Sequence, residues 1–319
     1  MAPLLDVRDL SLSYRSRQAQ VPVLHQVQFA LSAGQTLGLV GESGSGKSQI
    51  ALALMGLLPA HAQLQGQVFF EGRDVLLLRS RQRRALRGAR MGLVFQDPMT
   101  SLNPYLSIGL QLAEVLEQHE GTTRAHALAE AHRMLEAVQI PEAGRRLAQY
   151  PHELSGGQRQ RVMIAMMLLA KPALLIADEP TTALDATVQA EILRLLLALR
   201  KERQLALLLI SHDLDVIGRL ADQLIVLYAG RVVEQGAAAA VLRAPAHPYT
   251  QALLQCRPRL DAPLNETLLT IPGRPARAAD LVSGCPFAPR CGKVQTACQS
   301  TQPKLRATSE TRQAACHYS

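Results

Sequence analysis

Tryptophan is absent, and five Phe and six Tyr bring the aromatic content to only 3% of 319 residues. Stacking surfaces for single-stranded nucleic acid therefore have little to draw on. Long apolar runs are missing too. The longest, "VMIAMMLLA" at 162–170, stops at Lys171 and Pro172, well short of the roughly 18 to 20 residues that a membrane helix needs. The N-terminal "MAPLLDVRDLSLSY" carries acids and no apolar core of signal-peptide length, so the chain is read as cytosolic, with contact to a membrane protein left open. Internal repeats, low-complexity tracts and sustained heptads are also lacking. Tight C-x2-C pairs, the mark of common zinc sites, do not occur.

What is present is 48% hydrophobic and 19% charged, the balance of a globular protein rich in Ala and Leu. The length suffices for one large domain with additions, or for two. A net charge of +8 and six Arg within "RSRQRRALRGAR" at 79–90 raise nucleic acid as a partner. No nucleic-acid fold signature accompanies that run, and a solvated Arg-rich helix or loop is the preferred reading, with anionic lipid as a third.

Residues 3–40 alternate apolar and polar and end in "QTLGLV", which predicts strands separated by a turn at 32–34. "SQIALALMGLL" then has helical spacing. From about 97 to 153 the pattern changes to a helical insertion. Leu106, Leu110, Ala113 and Leu116 mark one helix, and Leu128, Ala131, Leu135 and Val138 another. "ALLIAD" at 173–178 and "LALLLIS" at 205–211 read as parallel strands buried on both faces, with a helix over 186–203 between them in a right-handed crossover. After about residue 236 the periodicity fades into an extension holding all five cysteines, four of them between 285 and 316, with one short helix expected near "PYTQALL".

The glycine-rich "GESGSGKS", comprising Gly41, Glu42, Ser43, Gly44, Ser45, Gly46, Lys47 and Ser48, lies between a predicted strand and a predicted helix. In that setting G-x-x-x-x-G-K-[ST] turns backbone N–H groups toward phosphates, directs Lys47 to the β- and γ-phosphates of a nucleotide, and gives Mg²⁺ the Ser48 hydroxyl. "LLIADEP" places Asp178 at the end of a buried strand as a metal partner. Glu179 follows, placed to orient or deprotonate an attacking water. A second anion cradle appears in "LSGGQ": Ser155, Gly156, Gly157 and Gln158 open a helix and offer unpaired N–H groups. With the first cradle already holding its own nucleotide, the second suits a nucleotide bound by another subunit. Two chains placed head to tail would sandwich two ATP molecules.

In that order the motifs resemble the ATP-binding subunits of ABC transporters, over about residues 3–236. The resemblance implies an α/β P-loop NTPase core with an N-terminal antiparallel β subdomain, a helical subdomain at about 97–153 and a Cys-containing extension at 237–319. It adds Gln96 in "VFQDP", linking γ-phosphate and metal to the membrane subunits. Asp185 in "TTALD" would contact the partner, and His212 in "ISHD" the γ-phosphate. Tyr14 stands where relatives stack an aromatic on adenine, its other reading being a plain strand aromatic.

Further stretches, among them "FQDPMTSLNPY", "HPYTQALL" and "GCPFAPRC", resemble the bacterial oligopeptide and dipeptide permease branch, the oligopeptide type above all, over nearly the full chain. The branch implies an importer with two transmembrane subunits, two ATP-binding subunits that are usually different chains, and an extracytoplasmic peptide-binding protein. This chain would sit at the cytoplasmic face of the membrane and bind ATP and Mg²⁺; no nucleic-acid partner is expected. Dipeptides, glutathione and nickel complexes stay open as cargo. Cys285, Cys291, Cys298 and Cys316, spaced C-x5-C, C-x6-C and C-x17-C, are read as ligands of a [4Fe-4S] cluster, as proposed for relatives, with zinc or free thiols as alternatives. A soluble ABC ATPase acting on ribosomes or DNA is the competing class; such proteins usually carry two cassettes or long coiled coils.

Overall fold

Strands written as unbroken apolar runs must be covered on both faces, and three of them form the centre of the molecule. The computed structural model describes residues 2–15, 19–95, 102–180, 186–256, 270–276 and 283–319. Its strands are β1 (Leu5–Arg15), β2 (Gln20–Leu31), β3 (Thr36–Val40), β4 (Ala62–Phe70), β5 (Arg73–Asp74), β6 (Met91–Val94), β7 (Leu174–Asp178), β8 (Ala206–Ile210), β9 (Gln223–Tyr228), β10 (Arg231–Ala237), β11 (Arg306–Ser309) and β12 (Arg312–Ala314). The first sheet is antiparallel, in the order β2-β1-β4-β5. The second runs β11-β12-β10-β9-β3-β8-β7-β6 and is parallel from β9 to β6.

Alternation along the central strands feeds two separate cores. Leu174, Ile176, Leu208 and Ile210 point into the core shared with the antiparallel sheet, whereas Leu175, Ala177, Leu207 and Leu209 point into the core shared with the helices. Neither face meets water, which is why these runs show no polar positions.

The helices are α1 (Lys47–Met55), α2 (Ser80–Leu86), α3 (Ile108–Glu120), α4 (Arg124–Ala137), α5 (Ala143–Arg146), α6 (Gly156–Leu169), α7 (Ala186–Arg203), α8 (Leu214–Leu220), α9 (Ala238–Arg243), α10 (Pro248–Gln255) and α11 (Thr296–Ser300). Helices α3 and α4, within 97–153, pack on each other and on α6, which follows that segment. Ser107 and Thr123 cap the first two by accepting the N–H groups of Leu110 and His126. In α3 the predicted apolar stripe is shifted. Ile108, Leu112, Ala113 and Leu116 face the core, whereas Leu110 is exposed and Leu106 precedes the helix. The Arg-rich run forms α2, with no buried residue. None of the helices in the described residues is long and apolar enough to cross a membrane; "VMIAMMLLA" lies mostly inside the buried α6.

Among the described residues, the C-terminal extension forms no core of its own. Val241, Tyr249 and Phe287 join the helix-side core, and β12 pairs with β10. The buried Glu234 carboxylate accepts the N–H groups of Ala246 (2.8 Å) and His247 (3.0 Å). His247 in turn caps α10 through Nδ1, which accepts from Tyr249 N–H at 3.0 Å. Burial pushes the His247 imidazole down to about 4 from 6.5. The unfolded chain therefore binds the extra proton first as pH falls, and the stability contributed by neutral His247 is complete above 6.5 and lost toward 4. Thermal unfolding of the full chain should show roughly 2 kcal/mol more destabilisation between about pH 7 and pH 5 for wild type than for His247→Gln. Equal losses in both would remove His247 as the cause.

Candidate functional site

The loop between β3 and α1 is shaped by backbone that only glycine adopts easily. Gly41 has φ 155° and Gly46, the N-cap of α1, has φ 106°. A Cβ at Gly41 would collide with the Leu227 carbonyl oxygen, and one at Gly46 would stand 2.7 Å from Leu24 Cδ2. The loop thus lies tight against β9 and β2, with the N-terminus of α1 opening into it.

Lys47 is buried, and its Nζ donates to the carbonyls of Gly41 (2.7 Å) and Glu42 (3.0 Å). Burial pushes its pKa down, opposed by Glu179, Asp178 and Glu42. The same environment pushes Asp178 up: burial dominates, Glu179 adds to it, and the Ser48 hydroxyl bond and Lys47 oppose it. Among the described residues, Asp178 Oδ1 is buried without a hydrogen-bond partner. An orphaned carboxylate oxygen beside a Ser hydroxyl is an all-oxygen donor set, which fits Mg²⁺.

Glu179 follows at the end of β7 with φ 48°, a left-handed conformation unusual for a residue with a side chain. Its N–H is pinned to the Ile210 carbonyl at 2.9 Å. The carboxylate lies 3.4 Å from His212 Nδ1, with 16% of the Glu179 side chain exposed against 64% for His212. His212 leaves β8 just before Asp213, whose carboxylate caps α8 by accepting from Asp215 and Val216. Thus Lys47, Ser48, Asp178, Glu179 and His212 converge at the ends of β3, β7 and β8, where open parallel sheets bind ligands.

The second cradle is a reciprocal cap. Ser155 Oγ accepts from Gln158 N–H at 3.3 Å, and Gln158 Oε1 accepts from Ser155 N–H at 3.0 Å. Gly157 packs on α7, where a Cβ would stand 2.6 Å from Val188 Cγ1. The side chains of the cap serve the helix and occupy the N–H of Gln158, leaving those of Gly156 and Gly157 in its first turn for an anion.

Tyr14 donates its hydroxyl to Gln49 Oε1 in α1 and packs its ring 5.3 Å from that of His61. Gln96 and Asp185 lie outside the described residues. The four C-terminal cysteines, far apart in sequence, line one cavity of about 280 Å³. Cys291 Sγ accepts from Lys293 N–H and Cys316 Sγ from Tyr318 N–H, both at 3.4 Å. All are free thiols, and burial pushes Cys285 and Cys316 up. Among the described residues no group of three or more His, Cys, Asp or Glu has a geometry that could hold a metal ion, so the thiols share a cavity without forming a ligand set.

Two contacts escaped sequence reasoning. Arg290 and Tyr249 of the extension both reach Glu42 in the glycine loop. The only sequence signal was their place inside "GCPFAPRC" and "HPYTQALL".

Residues 24–182 match the family described as ABC transporter, and residues 233–298 match the C-terminal region of oligopeptide/dipeptide transporters. The oligopeptide transport ATP-binding protein OppD of Haemophilus influenzae is 50% identical over 305 residues, 96% of this chain and 94% of that one. The Escherichia coli protein of that name is 51% identical over 94% of this chain and 89% of its own. The dipeptide transport ATP-binding protein DppD of Escherichia coli is 43% identical over 99% and 96%. Among solved structures, a dimeric bacterial ABC transporter cassette superposes with a TM-score of 0.66 at 26% identity, covering 73% of this chain and 98% of that one.

Proposed function

The chain belongs to the ABC transporter family of ATP-binding subunits, in its oligopeptide/dipeptide branch, and from that premise we propose that it binds and hydrolyses ATP to power oligopeptide import. The supporting observation is the relationship to oligopeptide transport ATP-binding proteins at about half identity along nearly the whole chain. Dipeptides are the second reading, favoured by the 43% identity to a dipeptide transport protein.

The residues divide the work as follows. The N–H groups of 41–48 and the α1 N-terminus receive the phosphates, with Lys47 exchanging its bonds to the loop carbonyls for phosphate oxygens. Ser48 and Asp178 would hold Mg²⁺, with Gln96 the further residue that the family resemblance assigns to it. Bound Mg²⁺ supplies neutralisation of the charge that develops on the phosphate oxygens. Glu179 accepts the proton of the attacking water, and His212 orients the Glu179 carboxylate and reaches toward the γ-phosphate. The first turn of α6, capped by Ser155 and Gln158, closes over the nucleotide of a second ATP-binding subunit, with Asp185 at the contact. Tyr14, set on α1 through Gln49, offers its ring to adenine. On this reading residues 1–236 form the nucleotide-binding domain and 237–319 the extension. A different ATP-binding chain, two transmembrane subunits and an extracytoplasmic peptide-binding protein complete the importer at the cytoplasmic face of the membrane.

For the four thiols the reading is an iron–sulfur cluster, with zinc second, whose binding would have to draw the thiols together from a spacing that is not yet a ligand set; their convergence on one cavity and the N–H donors at Cys291 and Cys316 support it. Anaerobically purified protein containing neither iron with sulfide nor zinc would eliminate both. The transport reading is tested by growth of an amino-acid auxotroph carrying Glu179→Gln, supplied with the missing amino acid free, as a dipeptide, or as a pentapeptide. Selective loss of pentapeptide use is expected. Normal growth on both peptides, with the subunit assembled, would point to a different cargo or to a redundant uptake system.

A further inference from the structure

We propose that Arg290, in the C-terminal extension, is a positioning residue for ATP binding that fixes and neutralises Glu42 inside the phosphate-binding loop. The inference rests on the reading of 41–48 as the ATP loop.

Glu42 is an acid in a loop built to receive polyphosphate. Its carboxylate is close enough to Lys47 to favour the charged ammonium, so left unpaired it would both repel the incoming anion and hold the amine that should meet it. Arg290 answers that charge with a two-pronged pair: Nη1 donates to Oε2 at 2.6 Å and Nη2 to Oε1 at 3.0 Å. The remaining guanidinium hydrogens are also engaged, by the carbonyls of Pro272 (2.8 Å) and Ile271 (3.3 Å) and by the Tyr228 hydroxyl (3.4 Å). All five N–H donors thus have acceptors, and only 4% of the side chain is exposed. An Arg held this way presents its fork in one orientation.

The loop side is equally determined. Glu42 N–H donates to the Tyr249 hydroxyl at 2.9 Å, and the Glu42 carbonyl accepts from Lys47. Residue 42 is therefore gripped at side chain, amide and carbonyl, the first two by residues more than two hundred positions away. Phe287 packs against both Tyr228 and Tyr249, and Cys291, next to Arg290, lines the thiol cavity. Changes in the extension accordingly reach the nucleotide through this ion pair.

The test is calorimetric titration of the full-length chain with ATP and Mg²⁺. Arg290→Gln should weaken ATP binding about tenfold, and adding Glu42→Gln to it should recover most of that loss, because the stranded carboxylate is gone. Wild-type affinity in Arg290→Gln, or a double variant as weak as the single, would overturn the proposal, since a purely structural brace is not mended by removing its other half. If circular dichroism shows Arg290→Gln unfolded, Arg290→Lys, which keeps the charge but loses the two-pronged fork, decides: ATP binding weaker by about threefold or more is expected, and wild-type affinity overturns the proposal. Lys47→Ala separates the premise from the inference, since unchanged ATP binding in that variant refutes the loop reading itself.

Discussion

Glu179→Gln should lower ATP hydrolysis by at least about 100-fold while leaving ATP binding intact, the effect expected when a general base is removed without moving its backbone. Three observations set the size of the effect. The Glu179 N–H is tied to Ile210, its φ of 48° holds the residue at the strand end, and its largely buried carboxylate has His212 at 3.4 Å. Gln retains shape and local backbone but cannot accept the proton of water. Because a turnover that stalls before bond cleavage leaves ATP between the subunits, the variant should also accumulate as an ATP-dependent complex with its partner chain. Single-turnover phosphate release and size-exclusion chromatography measure the two effects. Hydrolysis within threefold of wild type would transfer the base role to another group.

Asp178→Asn should abolish Mg²⁺-dependent hydrolysis and yet make the nucleotide-free chain more stable, by about 1 kcal/mol. Burial pushes the Asp178 carboxyl above its ordinary 3.8, so holding it ionised costs the fold free energy at neutral pH. The sign follows from proton counting. The folded state takes up the proton at higher pH than the unfolded state, so the cost is full above the folded pKa and disappears as pH falls toward 3.8. Asn, uncharged at every pH, carries none of it and can still meet the Ser48 hydroxyl. The gain in thermal midpoint should therefore shrink on acidification. A destabilised Asp178→Asn at neutral pH would mean that Lys47 and Ser48 more than offset the burial of this charge.

These two positions were legible before any fold was known, because chemistry and burial coincide in them: an acid pair placed directly after four apolar residues announces a buried strand with polar business at its end. The central strands were equally plain, since two cores claim alternate residues of β7 and β8 and leave no polar position to blur the run. Helix α7 lies at 186–203 as its spacing predicts. The stripe of α3 was misjudged because Leu110 is exposed while Gly109 and Gln111, which carry no apolar signal, are buried. β11, four residues reading "RATS", could not be seen at all: its residues are mostly exposed, and it is a strand only by pairing with β12. The Arg290–Glu42 pair was hidden for a different reason. Its partners are 248 positions apart, and local pattern carries no information at that range.

The pairing of β12 with β10 has a consequence for how the chain may be cut. One edge of the eight-stranded sheet would otherwise end at β10, a seven-residue strand whose free amides and carbonyls could recruit a strand from any neighbouring chain. The extension closes that edge with two very short strands, the outermost polar and bearing Arg306, a poor template for further growth. Residues 306–314 thus cover that edge, and a shortened cassette ending near residue 237 should show more light scattering on standing than the full chain.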